Sequence, residues 1–286
     1  MPDAETLEIR LLAGLDVAGA MRLKEAAGWN QTEADWRRLL RLEPRGCLAG
    51  VMGGRLVATT TTTSYDRTLA WVGMVLVDPA FRRRGIATAL VRAALDSLET
   101  DGVEAVKLDA TPEGAPVYES LGFEAELLIE RWALAQASGS VPPDSPAPTQ
   151  LDERVFGFDR RAFGADRSEL LKALADDGCV EPSRRVGRGG RVRGYALARR
   201  GSRAAYVGPV VAEEAETAAF ILDDLLGRLG AGPVYVDLNT TFECGARELA
   251  ARGFVKQREL IRMRRGKRTP AGTSRSVFAT AGPEVG

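Results

Sequence analysis

The stretch Trp71–Leu95 reads WVGMVLVDPAFRRRGIATALVRAAL. It begins with an apolar run, Val72–Val77, whose length suits a buried strand and is too short for an ordinary helix. Asp78-Pro79 ends this run, because proline cannot donate a hydrogen bond to a neighbouring strand. Apolar residues then recur at helical spacing from Ile86 onward. The stretch therefore predicts a strand, a basic glycine-containing turn and a helix.

The turn Arg82–Ala87 has the composition of a phosphate-binding site. Free backbone N–H groups and the helix dipole both favour an anion at a helix N-terminus. The small residues Gly85 and Ala87 leave the backbone accessible. A diphosphate is the ligand that suits this arrangement. An ordinary strand-to-helix connection with a solvated arginine cluster explains the same residues, and the local sequence does not choose between the two.

A second motif follows a strand predicted over Val103–Leu108. Residues 117–123 read VYESLGF, in which Tyr118 precedes the pair Gly122-Phe123. Glycine commonly ends a helix, so a short helix is expected to carry Tyr118. Taken alone, Tyr118 is equally well explained as a residue that packs this helix onto a sheet.

The two motifs together resemble the signatures of the GNAT superfamily of acyltransferases. Arg82-x-x-Gly85-x-Ala87 is similar to the acetyl-CoA signature Arg/Gln-x-x-Gly-x-Gly/Ala of the superfamily. The segment from Tyr118 to Gly122-Phe123 is similar to its second sequence motif, Tyr-x-x-x-Gly-Phe. The resemblance implies acetyl-CoA as co-substrate and Tyr118 as the general acid that protonates the departing thiolate. Pro112 stands where many members carry an asparagine that contacts the cofactor, so contacts in that loop do not carry over.

The resemblance also implies a set of cofactor-binding residues, which lie on the strand and the turn. Their main-chain groups would hold pantetheine in a gap where the central strand diverges from the next strand at a bulge. An N–H near Val75 would stabilise the developing oxyanion. The residues implied are Val75, Val77, Arg82, Arg83, Arg84, Gly85, Ile86, Ala87 and Thr88.

The fold class implied is α/β (α+β), with two GNAT-like domains, each a mixed, mostly antiparallel central sheet flanked by helices. Two early helices, capped by Asp16 and by Thr32 with Asp35, border the acceptor site in this fold. Trp29, Trp36 and Asp66 are therefore candidate substrate-binding residues. Plain packing explains the two tryptophans as well.

Gln136–Gln150 is rich in Pro, Ser and Ala and has no apolar periodicity, so it is predicted to be a linker. It separates a catalytic domain, residues 1–135, from a second domain, residues 151–265, and a tail over 266–286 follows. The tail carries one apolar segment, Val277–Ala279, that suits docking onto a domain.

The second half repeats the first in weakened form. Ala204–Val211 echoes Leu69–Leu76, and the strand Val234–Asn239 echoes Val106–Thr111. At the phosphate turn, however, Glu213–Glu216 supplies three carboxylates where a diphosphate requires donors. Leu249 stands at the tyrosine position. We expect this degenerate copy not to bind acetyl-CoA.

Composition excludes several kinds of chemistry. The 286 residues contain 39 Lys and Arg against 39 Asp and Glu, so no net charge favours nucleic acid or a membrane surface. The chain has no histidine, which excludes a Ser-His-Asp triad and any His-ligated metal. Three widely separated cysteines argue against a disulfide framework or a zinc site. We expect a cytoplasmic monomer or homodimer without a signal peptide or a metal.

The leading hypothesis is transfer of an acetyl group from acetyl-CoA to a primary amine, with a small molecule favoured as the acceptor, by direct attack in a ternary complex. Asp109, at the end of a strand beside the gap, is the first candidate for the general base, and a turn or cap role explains it equally well. Glu33, Asp35 and Asp66 also lie in segments that border the acceptor. The alternatives are a non-catalytic acyl-CoA-binding sensor or scaffold and a protein acetyltransferase, which would need an open groove.

Two arginine-rich segments, Arg184–Arg193 and Arg258–Arg268, remain. Each suits either an anionic ligand or a solvated surface, and the zero net charge favours the surface.

Overall fold

The computed structural model describes residues 6–137, 150–269 and 274–286. Most of the expected linker, 136–150, and a short part of the tail lie outside these ranges. The described residues form twelve strands, all in one sheet, and eight α-helices. Over these same ranges, no helix is long and apolar enough to cross a membrane.

The first half begins with a strand and two helices and continues into the stretch that decides the fold. Gly28 ends the first helix in the left-handed conformation, with φ 69°. The strand, turn and helix predicted over Trp71–Leu95 are confirmed. In chain order the elements are β1 (Glu8–Leu11), α1 (Val17–Ala27), α2 (Glu33–Leu42), β2 (Cys47–Met52), β3 (Arg55–Tyr65), β4 (Leu69–Val77), α3 (Ile86–Thr100), β5 (Ala105–Ala110), α4 (Ala115–Glu119) and β6 (Glu124–Leu134).

The second half repeats the order that runs from α1 to β6, as the echo in the sequence predicts, and one short strand follows it. That strand is the apolar tail segment, which docks back onto the sheet as expected. The elements are α5 (Glu153–Phe163), α6 (Ser168–Asp176), β7 (Ser183–Val186), β8 (Val192–Arg199), β9 (Ala205–Ala212), α7 (Ala215–Leu229), β10 (Val234–Asn239), α8 (Gly245–Ala251), β11 (Val255–Gly266) and β12 (Val277–Ala279).

The two halves exchange their last long strands. The strand order is β1-β2-β3-β4-β5-β11-β6-β10-β12-β9-β8-β7, so β11 lies between β5 and β6, and β6 lies between β11 and β10. The segment Glu124–Trp132 would be expected to complete the sheet of the first half, but β6 instead pairs with two strands of the second half. Side-chain alternation predicts a strand and its buried face, but not the neighbouring strand.

Two buried ion pairs stabilise this exchange. Arg131 on β6 donates to both carboxylate oxygens of Asp237 on β10, over 2.7 and 2.6 Å. Arg262 on β11 donates to both oxygens of Asp109 on β5, each over 2.8 Å. All four side chains are buried. Each pair therefore joins an arginine from one half to an aspartate from the other.

One hydrophobic core also spans both halves. Trp36 and Leu39 of α2 belong to the same buried cluster as Phe163 of α5, Leu171 of α6 and Tyr195 of β8. Separate cores lie under α3 in the first half and under α7 in the second. The halves therefore share apolar packing as well as strands.

We expect Asp237→Asn to lower the free energy of unfolding by about 3–5 kcal/mol, because it leaves the buried Arg131 guanidinium without a carboxylate. Urea unfolding followed by circular dichroism measures the change. Glu169→Gln is the matched control, because Glu169 pairs with Lys172 on an exposed surface, where such a pair contributes about 0–1 kcal/mol. A loss below about 1 kcal/mol in Asp237→Asn would show that the buried pair does not hold the halves together.

Candidate active site

The central gap of the first half lies between β4 and β5. These parallel strands are paired only where Ala70 lies opposite Val106 and Trp71 opposite Lys107. Beyond these two positions the strands have no further pairing. The edges of β4 and β5 that face the gap consequently carry main-chain groups that a ligand can reach.

A bulge in β4 accompanies this divergence. Thr59 on β3 lies opposite Leu76 and Thr61 lies opposite Gly73, so β4 contains one more residue than β3 between these pairs. Met74, within the bulge, has φ 50°. The Thr59 hydroxyl donates to the Met74 carbonyl over 2.8 Å. The gap and the bulge are those that the GNAT resemblance implies.

The threonine run of β3 is buried throughout, with Thr59–Thr63 each at most 4% exposed. These side chains therefore do not face solvent. Thr59 stabilises the bulge instead, because its hydroxyl satisfies a carbonyl that the irregular backbone leaves without a strand partner.

The turn after β4 presents backbone donors at the start of α3. Gly85 precedes the helix with φ 76° and ψ 3°, and no side chain caps it. The N–H groups of the first helical turn have no partner within the helix. A Cβ at Gly85 would meet no atom within 4 Å, so the space above the backbone is open. The residues present therefore suit an anionic group such as a diphosphate.

A cavity of about 660 Å³ is lined by both the gap and the turn. Of the predicted cofactor-binding residues, only Arg84 does not line it; the Arg84 guanidinium lies over the Phe81 ring, 5.2 Å from its centroid. Trp29, Asp109 and Tyr118 line the same cavity. The cofactor-binding residues that line it are Val75, Val77, Arg82, Arg83, Gly85, Ile86, Ala87 and Thr88.

Two residues predicted to bind the acceptor lie elsewhere. Trp36 is fully buried in the core shared by the two halves. Asp66 is exposed in the turn between β3 and β4, with φ 57°. Neither lines the cavity. Trp36 is a packing residue because the apolar face of α2 is covered by the second half, and Asp66 is a turn residue.

Tyr118 reaches the cavity from α4. Its ring packs edge-on against Phe123, with 6.0 Å between the ring centroids. Its hydroxyl makes no hydrogen bond within the described part of the chain. Burial raises the pKa of Tyr118 above the ordinary value. The hydroxyl therefore keeps its proton at neutral pH and can donate it.

Asp109 lies within β5 rather than in a turn or a cap. Both of its carboxylate oxygens accept hydrogen bonds from Arg262. Burial raises the pKa of Asp109, against the opposing effect of the Arg262 guanidinium. Asp237 makes the equivalent pair with Arg131 in the second half. The contact that Asp109 makes is therefore a structural feature of both halves.

Glu284 also lines the cavity, although the sequence does not single it out. It is buried, and it accepts hydrogen bonds from Arg199 over 2.8 Å and from Gln31 over 2.9 Å. A Cβ at Gly73 would lie 2.5 Å from the Glu284 carbonyl oxygen, so the two backbones are in close contact beside the bulge. No local pattern could reveal this, because Glu284 is distant from Gly73 in sequence.

The tail carries Glu284 to this position through contacts with the first half. Tyr65 donates to the Val285 carbonyl over 2.5 Å. The Trp71 indole donates to the Pro283 carbonyl over 3.1 Å. Both donors are buried aromatic residues of the first half. The tail is therefore a structural part of the cavity wall.

The second half contains an equivalent gap, but β12 fills it. β9 and β10 are paired only where Ala205 lies opposite Val234 and Tyr206 opposite Tyr235. β12 pairs with both strands beyond that point. Phe278, the central residue of β12, is fully buried. The chain itself thus occupies the second gap.

The acidic turn of the second half is occupied too. Glu213 and Glu214, which precede α7, form ion pairs with Arg191 and Arg193. These arginines belong to the first of the two arginine-rich segments, which accordingly pairs with carboxylates of the same chain. The start of α7 offers acidic side chains, and no cluster of donors, to an anionic ligand.

Comparisons with known proteins agree with this architecture. A family model described as "Acetyltransferase (GNAT) family" matches residues 20–123, and one described as "Acetyltransferase (GNAT) domain" matches residues 150–279. The chain is 28% identical over 250 residues to "Uncharacterized N-acetyltransferase YitH" of Bacillus subtilis, and the aligned region covers 85% of this chain and 86% of that protein.

Two solved structures share the fold along nearly the whole chain. A protein of Pyrococcus horikoshii has a TM-score of 0.79 and 21% identity, and the match covers 98% of this chain and 96% of that one. A tandem GNAT protein from the clavulanic acid biosynthesis pathway has a TM-score of 0.59 and 16% identity, over 91% of this chain and 98% of that one.

The chain belongs to the GNAT superfamily of acetyltransferases. More particularly, it is an N-acetyltransferase of the tandem type, with two GNAT halves in one chain. The family uses acetyl-CoA as co-substrate. Among the described residues, no group of three or more acidic or cysteine side chains could hold a metal ion.

We expect Gly85→Glu to weaken acetyl-CoA binding by about 100-fold or more, because a carboxylate at the start of α3 would repel the diphosphate by a few kcal/mol. Isothermal titration calorimetry measures the affinity. Gly54→Glu is the matched control: Gly54 also has a left-handed φ, 74°, and open space around its Cβ position, but it does not line the cavity. Equal losses in both variants would mean that backbone strain, and not the phosphate turn, explains the effect.

The same titration tests the second half. We expect one acetyl-CoA per chain, because β12 fills the second gap. A stoichiometry of two would contradict this, since it would require β12 to leave the sheet.

Proposed function

We propose that this N-acetyltransferase transfers the acetyl group of acetyl-CoA to the primary amine of a small molecule, by direct attack while both substrates are bound. The observation that carries the proposal is a single cavity lined by the phosphate turn, Tyr118 and Glu284. Holding both reactants in one cavity converts their reaction into an effectively intramolecular step.

The composition of the cavity wall favours a small acceptor over a protein. Arg258 and Leu260 of β11 and the tail residues Pro283 and Glu284 line the cavity together with Trp29. The second half and the tail therefore add walls on a side that a protein acetyltransferase would need as an open groove for a peptide. A small amine is the acceptor that such a covered cavity accommodates.

Tyr118 acts in this proposal as the general acid. Its raised pKa keeps the hydroxyl protonated, so it can protonate the thiolate as the amine displaces it. The main chain at Met74 and Val75, which the bulge leaves out of register with β3, supplies the N–H that stabilises the oxyanion.

The amine must be neutral when it attacks, so a carboxylate has to accept its proton, directly or through water. Asp109 is the candidate that the sequence proposes, but a guanidinium occupies both of its oxygens. One oxygen of Glu284 accepts a hydrogen bond from the neutral amide of Gln31. An amine or a water molecule can replace this amide at a lower cost in free energy than it can replace the guanidinium on Asp109. We therefore favour Glu284 as the base.

We expect Tyr118→Phe to lower kcat by about 100-fold, because positioned general acids contribute about 10²- to 10⁴-fold. The affinity for acetyl-CoA should change by less than about twofold, since the ring and its packing remain. Thiol release from acetyl-CoA, with and without a panel of amines, measures the rate. If the wild type binds acetyl-CoA yet releases no thiol with any amine, the chain is a sensor and not an enzyme.

We expect Glu284→Gln to lower kcat by about 100-fold at neutral pH through loss of the base. The deficit should shrink as the pH rises toward the pKa of the amine, because a larger fraction of the amine is then neutral without a base. Initial rates from pH 6 to pH 10 measure this profile. Asp109→Asn is the comparison: if it alone loses activity with this pH profile while remaining folded, Asp109 is the base.

A further inference from the structure

Among the described residues, Arg258 differs from Arg262 and Arg264 of its strand in having no partner, and from the unpaired Arg265 in lining the cavity. On β11, Arg262 pairs with Asp109, and Arg264 pairs with Glu124 over 2.8 Å. The Arg258 side chain forms no ion pair or hydrogen bond with any residue in the ranges 6–137, 150–269 and 274–286. Its Nε is buried and lacks an acceptor. A buried donor without a partner costs free energy, so such a group in a cavity is a reason to look for a ligand.

Arg258 and Glu284 both line the cavity. In the register between β11 and β6, Arg258 lies directly opposite Arg131. The Glu284 carboxylate acts electrostatically on that same Arg131 and raises its pKa. Arg258 and Glu284 are therefore both near Arg131.

Glu284 is distant from the phosphate turn. Glu284 packs against Gly73, which precedes Val77 by four residues, or about 13 Å along a strand. The phosphate turn begins beyond Val77. The diphosphate has Arg82, Arg83 and the start of α3 as its donors, so Arg258 is available to the acceptor.

The surroundings of Arg258 favour an anion. Burial and the like charge of Arg131 lower the pKa of Arg258, and the Asp237 carboxylate only partly opposes them. Arg131 itself already binds Asp237 through two hydrogen bonds. An anionic group beside Arg258 would offset the repulsion and provide the missing acceptor.

We propose that Arg258 binds an anionic group of the acceptor, so that the substrate is a small amine that also carries a carboxylate or a phosphate. A guanidinium suits both groups because its parallel N–H donors match their paired oxygens. Glu284 and Arg258 then bind opposite ends of one molecule: the Glu284 carboxylate binds the amine, and the Arg258 guanidinium binds the carboxylate or phosphate. This inference rests on the proposed function, because it identifies the acceptor of that reaction.

Matched pairs of amines test the inference. The pairs are β-alanine with propylamine, 6-aminohexanoate with hexylamine, and O-phosphoethanolamine with ethanolamine, and each is assayed with wild type, Arg258→Met and Arg258→Lys. We expect wild type to prefer the anionic member of at least one pair by tenfold or more in kcat/KM. The carboxylate and phosphate pairs show which anion is recognised.

The variants then assign that preference to Arg258. Arg258→Met should lose about 10- to 100-fold in kcat/KM for the anionic amine, mainly through KM, and stay within about threefold for the neutral one. Arg258→Lys should restore part of the preference, because it keeps the charge but not the paired donors. Calorimetry with acetyl-CoA checks folding, and the affinity should be unchanged.

Three outcomes would overturn this role. They are equal use of neutral and anionic amines by wild type, an unchanged preference in Arg258→Met, and a loss confined to acetyl-CoA affinity, which would make Arg258 a cofactor contact. If the protein binds acetyl-CoA but acetylates none of the six amines, the result would instead contradict the proposed function itself.

Discussion

The two buried ion pairs, Arg131–Asp237 and Arg262–Asp109, are the interactions on which the rest of the structure depends. Asp109 and Asp237 occupy the same position in the repeated strand sequences VKLDAT and VYVDLN. Each binds an arginine from the last long strand of the other half. Because a buried guanidinium without its carboxylate is strongly destabilising, neither half can dispense with the strand that the other supplies. The Arg262 guanidinium also lies over the Trp71 ring, 4.5 Å from its centroid, which ties the pair to the centre of β4.

The strand exchange makes the second half part of the site. β11 runs beside β5 and brings Arg258 and Leu260 to the cavity. The chain then returns through β12, which fills the second gap, and delivers Glu284 to the bulge of β4. The degenerate half thus has two physical roles: it closes its own gap with a strand of the chain, and it supplies part of the wall of the other gap. Residues from both halves of the duplicated fold therefore line one cavity.

Much of the cofactor side of the site could be predicted from the sequence, because it depends on short segments. A strand stopped by Asp78-Pro79, followed by a turn with Gly85 and a helix, brings its own main-chain groups together. The acceptor side was predicted poorly. Trp36 and Asp66 lie in segments that border the site, but tertiary packing directs Trp36 into the shared core and leaves Asp66 in an exposed turn.

The sequence by itself determined the strand, turn and helix over Trp71–Leu95, the two GNAT halves and the acidic replacement of the second phosphate turn. These follow from apolar periodicity, turn residues and side-chain charge, which act over a few residues. Only the tertiary structure decided that β6 and β11 exchange places, that Asp109 pairs with Arg262, and that Glu284 and Arg258 reach the cavity. The physical reason is that periodicity specifies which face of a strand is buried, whereas the partner of a strand or of a charge is set by contacts between residues far apart in the chain.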